Sequence, residues 1–382
     1  MKSCALYAQR RIGPEEMNKQ DLRQVLDTIR KAVPRGWILM SPNSLGEVFP
    51  SAGFARALQE SSGYPVTLCV RPEHTAMVHA LYPNRMQAVV GMGMELMRAF
   101  STTGFIPPNH HDIDFPVNLS PLQFFDGRLI ELLDLLSLRN GRSGLTLSDT
   151  WRVMLRLDWD APLEQPCLEY FMRPNAAFEA LGLRRGGYVL FQPGNNTNIP
   201  LPSVFWRALE ERYLAEGLDV LVNVRGSMLI DRTLTFRKAR AIELDVLDAL
   251  YVAQNAAAVV SGNNGLMVGN VLCGYDDRSS PVYHVVTTDK YCKHYDRLAT
   301  DWDNAFVPYR GVPAIRRSAP DMVDPGCILK EWRIPSGMTD GSYADAARAV
   351  CSADTASPYS LHLEPPSPGA FPDLLGFGAS RS

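Results

Sequence analysis

An α/β fold with two separate parallel sheets is the architecture that the sequence predicts, and two observations carry this prediction. Short apolar strands alternate with helices over residues 36–300, a pattern typical of parallel β-α-β units. The pattern also starts twice, near residues 36 and 188, each time as a strand, a polar turn and a helix. We therefore expect one sheet within residues 36–150 and another within 180–300. Ligands of such sheets bind beyond the carboxyl ends of the strands, so two facing halves would form a cleft suited to a two-substrate reaction.

The first half follows an N-terminal helical extension, which is predicted for residues 1–35. Apolar residues recur at near-helical spacing in "EEMNKQDLRQVLDTIRKAV", and Pro34 ends the pattern. The elements after it are delimited by proline and glycine. In chain order we expect strand Trp37–Met40, helix Ser51–Glu60 with Pro50 in its first turn, strand Val66–Val70, a helix in "PEHTAMVHALYP" and a strand in "MQAVVGM".

The middle of the chain is predicted to be a long loop followed by helices. Residues 101–120 are rich in Pro, Asn and His, which favours the loop. Two helical stretches follow, in "PLQFFDGRLIELLDLLSLR" and "TLSDTWRVMLRL", and the segment "DAPLEQP" indicates a link into the second half.

The second half repeats the order of strand, turn and helix. It begins with strand Tyr188–Gln192, and its first helix, "LPSVFWRALEERYLAEG", has Pro202 at the start and Gly217 at the end, as helix entry and exit favour. The tail from residue 353 is rich in Pro, Ser and Gly and is expected to have little regular structure. Between this first helix and the tail we predict strands in "LDVLVNV", "RAIEL" and "AAVVS", helices in "DVLDALYVAQNA" and "LMVGNVLCG", and a last strand in "PVYHVVTT".

Composition and charge exclude several classes of protein. Apolar residues make up 46% of the 382 residues and charged residues 21%, which is globular composition, and the net charge is −3. No run of Lys or Arg forms a basic stripe, which disfavours nucleic acid as a partner. The N-terminal segment lacks the apolar core of a signal peptide, and no stretch approaches the roughly 20 apolar residues that span a bilayer. We expect a cytoplasmic protein, and contact with a membrane surface stays open.

The cysteines and histidines predict no metal site. The 7 cysteines show no C-x-x-C spacing, so buried reduced thiols are favoured over a zinc site or a disulfide framework. His110, His111, Asp112 and Asp114 could be taken for a metal cluster, but adjacent His side chains rarely ligate one ion. His74 and His79 lie in a helical stretch, where packing or surface roles are favoured.

Two turns at strand ends are candidates for binding a phosphate. The turn "SGNNG" (Ser261–Gly265) joins a buried strand to a helix, and free N–H groups at a helix start beside glycines suit a phosphate group. The turn "QPGNNTN" (Gln192–Asn198) offers amide and hydroxyl donors after another strand. Together the two turns predict a binding site for a diphosphate. The structural alternative is a pair of tight connections in which Asn caps a helix and Gly supplies unusual backbone angles.

A third turn, "SPNSLGE" (Ser41–Glu47), carries a carboxylate. Glu47 could take a proton from an acceptor hydroxyl, or it could only favour the dipole of the following helix. The sequence contains neither G-x-x-x-x-G-K-[ST] nor G-x-S-x-G, so the chemistry of a P-loop or of a hydrolase elbow is unsupported.

Over about residues 36–290 the chain resembles the bacterial heptosyltransferase-type glycosyltransferases of the GT-B fold. In "SLGEVFPSAGFARAL", Gly46-Glu47 stand where that family has Gly-Asp before a helix with an early proline. The stretch "YVLFQPGNNTNIPLPSVFWRALEE" is similar to the family's strand, Pro-Gly turn and proline-entered helix. "DVLDALYVAQNAAAVVSGNNGLMVGNVLCG" resembles its helix, strand and Asp-Thr-Gly-x-x-His turn, which holds the donor nucleotide.

The resemblance implies a GT-B architecture, with two Rossmann-like domains facing a central cleft. The acceptor domain would span residues 36–165 and the nucleotide-sugar donor domain residues 166–350, leaving 1–35 as the helical extension and 351–382 as the tail. The implied activity is transfer of a sugar from a nucleotide-diphosphate donor to an acceptor hydroxyl, with inversion at the anomeric carbon. No metal or cofactor is expected. The acceptor would be a glycan, a lipid-linked sugar or a protein.

The resemblance also implies roles for individual residues. Glu47 takes the place of the general base, and the acceptor-side turn contains Asn43, Ser44 and Gly46. The donor diphosphate would lie near a set of small and polar residues in the second domain: Gly194, Asn195, Asn196, Thr197, Asn263, Asn264 and Gly265.

The chain departs from the family pattern at the donor site. Asn263-Asn264 stand in place of Asp-Thr, Val268 in place of His, and Ile199 near the place of the phosphate-binding Lys. A charge-assisted hydrogen bond contributes roughly 1.5–3 kcal/mol, so a lost cation matters, and Arg225 could replace it. Two alternatives therefore stay open. One is another GT-B-like enzyme, such as a nucleotide-sugar epimerase or hydrolase, and the other is a binding or scaffold protein without catalysis.

Overall fold

Two compact units, each with its own parallel sheet, make up the described part of the chain, and this confirms the predicted α/β class. The first unit ends at Cys167 and the second follows it. The cleft predicted between them stays a prediction. The computed structural model describes residues 19–32, 36–41, 45–102, 117–119, 151–152, 155, 157–158, 161–167, 169–194, 200–224, 234–262, 264–273, 281–288 and 329–350.

The first unit has a sheet in the order β3-β2-β1-β4, and all neighbouring strands are parallel. Strands β1 and β2 end side by side, since Ser41 pairs with Val70. In chain order its elements are α1 (Lys19–Ala32), β1 (Trp37–Ser41), α2 (Leu45–Gly53), α3 (Ala55–Ser62), β2 (Val66–Val70), α4 (Thr75–Leu81), β3 (Ala88–Gly91), α5 (Met94–Thr102) and β4 (Val117–Leu119).

Helix α1 belongs to the core of the first unit. Its apolar face, which includes Leu22 and Leu26, is buried with Ile38 and Met40 of β1 and with residues of α5. The sequence predicted this helix as part of an N-terminal extension, and its apolar stripe is buried against the first unit, because an amphipathic helix needs a packing partner. Helices α2, α3 and α4 also contact the sheet.

Helix α2 begins at Leu45 and not at the predicted Ser51, so Pro50 lies inside the helix instead of in its first turn. Every residue from Gly46 to Gly53 is buried. Proline cannot donate the backbone hydrogen bond of its position, so packing must stabilise this helix. Strand β4 is a second correction, since it lies within the segment that was predicted as a loop.

The second unit has a sheet in the order β10-β9-β8-β5-β6-β7, and again every neighbouring pair is parallel. In chain order its elements are α6 (Glu169–Met172), α7 (Ala176–Ala180), β5 (Tyr188–Gln192), α8 (Ser203–Ala215), β6 (Asp219–Asn223), β7 (Arg240–Ile242), α9 (Val246–Gln254), β8 (Ala258–Ser261), α10 (Gly265–Cys273), β9 (Val282–Thr288), β10 (Leu329–Ile334) and α11 (Asp340–Val350).

Strand β10 shows that the predicted last strand, β9, is not the last. Charged and apolar residues alternate over the last four positions of "LKEWRI", and this pattern favours a strand that the prediction omits. Trp332 of β10 is buried and donates a hydrogen bond from Nε1 to Nδ1 of His284 in β9, at 3.1 Å.

The second sheet is covered on both faces. Val189 and Phe191 of β5 pack with α8 and α11, whereas Tyr188 donates a hydrogen bond to the backbone of α9 on the other face. Alternate residues of a strand point to opposite faces, so Gln192 lies on the same face as Tyr188. In the described residues, no helix combines the length and the apolar character that a membrane span requires.

Candidate functional site

The topological switch point of the second sheet lies between β5 and β8. From β5 the chain continues to β6 on one side, and it later returns to β8 on the other side. Where the strand order reverses in this way, the connections leave in opposite directions and open a crevice at the carboxyl ends of the two strands. The turns predicted to bind a diphosphate follow these two strands.

The two turns are joined by hydrogen bonds from one side chain. Asn264 donates from Nδ2 to the backbone oxygen of Gly194, at 2.6 Å, and to Oγ of Ser261, at 2.9 Å. Ser261 in turn donates to the backbone oxygen of Gln192, at 3.2 Å. The amide of Asn264 is therefore engaged inside the protein and links the end of β5 to the end of β8.

The start of helix α10 is capped by the same residue. The Oδ1 atom of Asn264 accepts a hydrogen bond from the backbone N–H of Met267, at 3.0 Å, which is the usual role of an N-cap side chain. Gly265 is the first residue of the helix and adds no side chain in front of its N-terminal N–H groups. Such a helix end attracts an anion through these N–H groups and through the helix dipole.

A buried amide pair lies behind this helix start and was not predicted from the sequence. Asn270 of α10 donates from Nδ2 to Oε1 of Gln192, at 3.0 Å, and both side chains are at most 2% exposed. Gln254 of α9 donates to the backbone oxygen of Asn270. A polar residue closing an otherwise apolar strand, as in "YVLFQ", is the signal that could have indicated a buried polar group here, but it does not identify the partner.

On the opposite face of the same sheet edge there is a small recess. Its walls are mostly apolar, and Thr288 at the end of β9 contributes a hydroxyl group. The recess lies beside the strand ends, next to the start of α8. It is lined by Pro193, Pro200, Leu201, Trp206, Gly262, Val286 and Thr288.

Several predicted site residues lie outside the described part of the chain. Gly194, Asn264 and Gly265 are described, and they lie together at the switch point. The remaining predicted site residues are not described. They are Asn43, Ser44, Asn195, Asn196, Thr197, Arg225 and Asn263.

Glu47 lies in the first turn of α2, beyond the carboxyl end of β1. The sequence placed it in a polar turn, and the structure places it in the helix. The residue is 3% exposed and takes part in an interaction within the protein. Gly46 next to it is also buried. A carboxylate at this position benefits from the helix dipole and lies at the sheet edge where parallel α/β folds bind ligands.

Two further buried polar groups lie at this edge of the first sheet. Ser41 ends β1 and is wholly buried, and His74 follows β2 in the short 3₁₀ turn Pro72–His74. Burial, and next the positive charge of Arg71, lower the pKa of His74 to about 4, against the weaker opposing effect of Glu73. The imidazole is therefore neutral at pH 7.

The described residues contain no group of three or more His, Cys, Asp or Glu that could hold a metal ion. The histidines and acids of residues 110–114 lie outside the described part. Cys69 and Cys273 are buried free thiols, and burial raises the pKa of Cys69 to about 12. A thiol with a raised pKa is a poor nucleophile and a poor metal ligand at neutral pH.

Substitutions of Asn264 test its linking role. Asn264→Ser keeps an N-cap residue but has no amide group, so it should lose the hydrogen bonds that Nδ2 donates to Gly194, Ser261 and Gln192 and about 1–3 kcal/mol of unfolding free energy. Asn264→Ala should cost about 1 kcal/mol more, because the cap is also lost. Urea unfolding measures both. Equal stability of the serine variant and the wild type would show that the link contributes nothing.

No protein-family model and no curated protein matches the chain. Among solved structures it is similar to ADP-heptose LPS heptosyltransferase II of E. coli, with 11% identity and a TM-score of 0.46 over 82% of this chain and 98% of that chain. It is also similar to a family 9 glycosyl transferase of Veillonella parvula, with 10% identity and a TM-score of 0.45 over 82% and 97%.

A third similar structure is a putative UDP-N-acetylglucosamine 2-epimerase from Listeria monocytogenes, with 9% identity and a TM-score of 0.39 over 81% of this chain and 94% of that chain. The resemblance stated from the sequence is thus confirmed as a likeness to solved heptosyltransferase structures. Because these TM-scores are below 0.5, the likeness is not used to assign the fold. The α/β fold is assigned from the strand order of the chain's own two sheets.

Proposed function

We propose that the protein is an inverting glycosyltransferase that moves a sugar from a nucleotide-diphosphate donor to an acceptor hydroxyl without a metal ion. One observation carries the proposal: the turns after β5 and β8 are hydrogen-bonded to each other at the switch point of the second sheet, directly before α10. A diphosphate needs several convergent donors, and a glycine-flanked helix start supplies them from the backbone.

On the donor side, the leaving diphosphate would be stabilised by the first N–H groups of α10 and by its dipole. Asn264 would act indirectly, because its amide holds the two turns together and caps the helix. The described residues of the two turns are uncharged. The cation that a diphosphate favours would then come from elsewhere, and Arg225, which follows β6 in the sequence, is the proposed source.

On the acceptor side, Glu47 would take the proton of the attacking hydroxyl. Direct, in-line attack on the anomeric carbon displaces the diphosphate from the opposite face, so the configuration inverts. The protonated carboxyl and the nucleoside diphosphate are the remaining products of the step. The acceptor is proposed to be a glycan, a lipid-linked sugar or a protein.

Gly265→Val is the variant that tests the donor site. A valine side chain at the helix start should block close approach of a phosphate and weaken nucleotide binding by about tenfold or more, equal to about 1.4 kcal/mol. The measurement is the melting temperature of the wild type and of the variant with a panel of nucleoside diphosphates, since a bound ligand stabilises the native state.

Gly341→Val is a matched control, because Gly341 lies in α11 of the same unit and a Cβ there meets open space. It should bind nucleotide as the wild type does. The proposal fails if no nucleoside diphosphate raises the melting temperature of the wild type, or if the Gly265 variant, once folded, binds with unchanged affinity.

A second candidate function is nucleotide-sugar binding without transfer. It is favoured by the burial of Glu47, which is 3% exposed. A base must come within hydrogen-bond reach of the proton that it takes. Nucleotide binding together with an absence of turnover would identify this second function.

A further inference from the structure

Gln192, the last residue of β5, holds helix α10 at two points. Its backbone oxygen accepts hydrogen bonds from the residues just before the helix, from Nδ2 of Asn264 at 3.4 Å and from Oγ of Ser261 at 3.2 Å. Its side-chain Oε1 accepts a bond from Nδ2 of Asn270, at 3.0 Å. Asn270 lies about 7.5 Å along the helix axis from Gly265. One residue of the sheet therefore contacts both the start and the middle of α10.

The middle of α10 is also tied to the neighbouring helix. Nε2 of Gln254, the last residue of α9, donates to the backbone oxygen of Asn270, at 3.1 Å, and the two helices pack against each other. A shift of α10 along its axis would break this bond together with the bond to Gln192. The position of the first N–H groups of α10 therefore depends on how Asn270 is held.

The pair of amides is a poor source of stability. In the described part of the chain, Nε2 of Gln192 and Oδ1 of Asn270 have no hydrogen-bond partner. A buried polar atom without a partner costs about as much free energy as a hydrogen bond contributes, so apolar side chains of similar shape would stabilise the fold about equally well. Apolar contacts are non-directional, however, whereas a hydrogen bond requires one distance and one angle. The pair is thus suited to fixing a position.

We propose that Gln192 and Asn270 are positioning residues, which align the first N–H groups of α10 with the diphosphate of the donor. The inference rests on the proposed function, because it states how the same donor site is held in its binding geometry. Both side chains are buried behind the helix start, so they act through the backbone at Gly265 and do not touch the diphosphate. Their removal should affect diphosphate affinity more than stability.

A paired apolar replacement separates position from stability. Gln192→Met/Asn270→Leu removes both amides and keeps side chains of similar size, so its melting temperature should stay close to that of the wild type. Its dissociation constant for a nucleoside diphosphate should rise about tenfold, equal to about 1.4 kcal/mol. Asn270→Leu alone should lose affinity and also melt earlier, because Oε1 of Gln192 is left without its donor. The full-length proteins are titrated calorimetrically with ADP, UDP, GDP and dTDP.

Asn175→Ala is the matched control. Asn175 is a buried amide of the same unit that donates to Asp248, at 2.7 Å, and caps α7. Its loss should lower the melting temperature and leave nucleotide affinity unchanged. If the paired variant does not fold, Asn270→Ser, which removes the amide and keeps a small polar group, is compared with Asn175→Ala and should likewise bind about tenfold more weakly.

The positioning role is wrong if the variants that lack the amide pair bind a nucleoside diphosphate as tightly as the wild type. It is also wrong if Asn175→Ala weakens binding to the same extent, because the loss would then follow from general destabilisation. A wild type that binds none of the four nucleotides contradicts the proposed function and the positioning role together. Normal binding by the wild type with unaffected variants contradicts the positioning role alone.

Discussion

Glu47→Gln is expected to keep the fold and the affinity for the donor while lowering turnover by about 10²–10⁴-fold, the usual contribution of a positioned acid or base. The glutamine side chain has nearly the same shape, so the burial of the first turn of α2 should be preserved. It cannot take up a proton from a hydroxyl at neutral pH. The measurement is the turnover number at saturating donor, beside a melting curve.

Glu95→Gln is the matched control for this variant. Glu95 is an exposed acid in the first turn of α5, in the same unit, and it also lies near a helix start. Removing such a charge costs roughly 0.3–1 kcal/mol of stability through the dipole and should not affect turnover. If Glu47→Gln shows only that small loss of stability and near-normal turnover, Glu47 has no part in the reaction.

Glu210→Ala is expected to lower the free energy of unfolding by about 3–5 kcal/mol, because three backbone hydrogen bonds to a buried charged acceptor are lost and each such bond contributes roughly 1.5–3 kcal/mol at most. Glu210 lies in α8 and is wholly buried. Its carboxylate accepts hydrogen bonds from the backbone N–H groups of Arg237, Lys238 and Ala239, at 2.9, 2.6 and 2.6 Å. Without the carboxylate, these N–H groups lose their acceptor in the segment that leads into β7.

The neighbouring residue provides the control. Glu211 is exposed and forms an ion pair with the exposed side chain of Arg237, at 2.6 Å. An exposed pair of this kind contributes at most about 1 kcal/mol, so Glu211→Ala should be nearly neutral. Urea unfolding of the two variants gives the comparison. Similar losses for Glu210→Ala and Glu211→Ala would show that the buried hydrogen bonds are not what stabilises this segment.

The two helices that contain a proline near their start show which parts of the fold can be predicted from the sequence. At α8 the local signal is sufficient, because Pro202 directly precedes the first helical residue. At α2 the same signal misleads. Pro50 lies inside the helix, and burial of the residues around it, which no local pattern reveals, compensates for the missing hydrogen bond. Strand β4, three residues long, is similarly defined by its pairing with β1 and not by its own sequence.

At the candidate site, the sequence identified the two turns but not what their side chains do. Asn264 is predicted to lie near a diphosphate, and the structure shows its amide bonded to Gly194, Ser261 and the backbone of α10, which the sequence did not indicate. The pairing of Gln192 with Asn270 depends on how α10 packs on the sheet. Contacts of this kind join residues far apart in the chain, and local spacing carries no information about them.

The most direct test of the proposed glycosyltransferase activity is a product analysis by mass spectrometry. The wild-type protein is incubated with a panel of nucleotide sugars, with and without a mixture of glycan and lipid-linked acceptors. We expect release of a nucleoside diphosphate together with a new glycosylated product that appears only when acceptor is present. Release of free sugar alone, epimerised donor, or binding without any release of nucleoside diphosphate would contradict it.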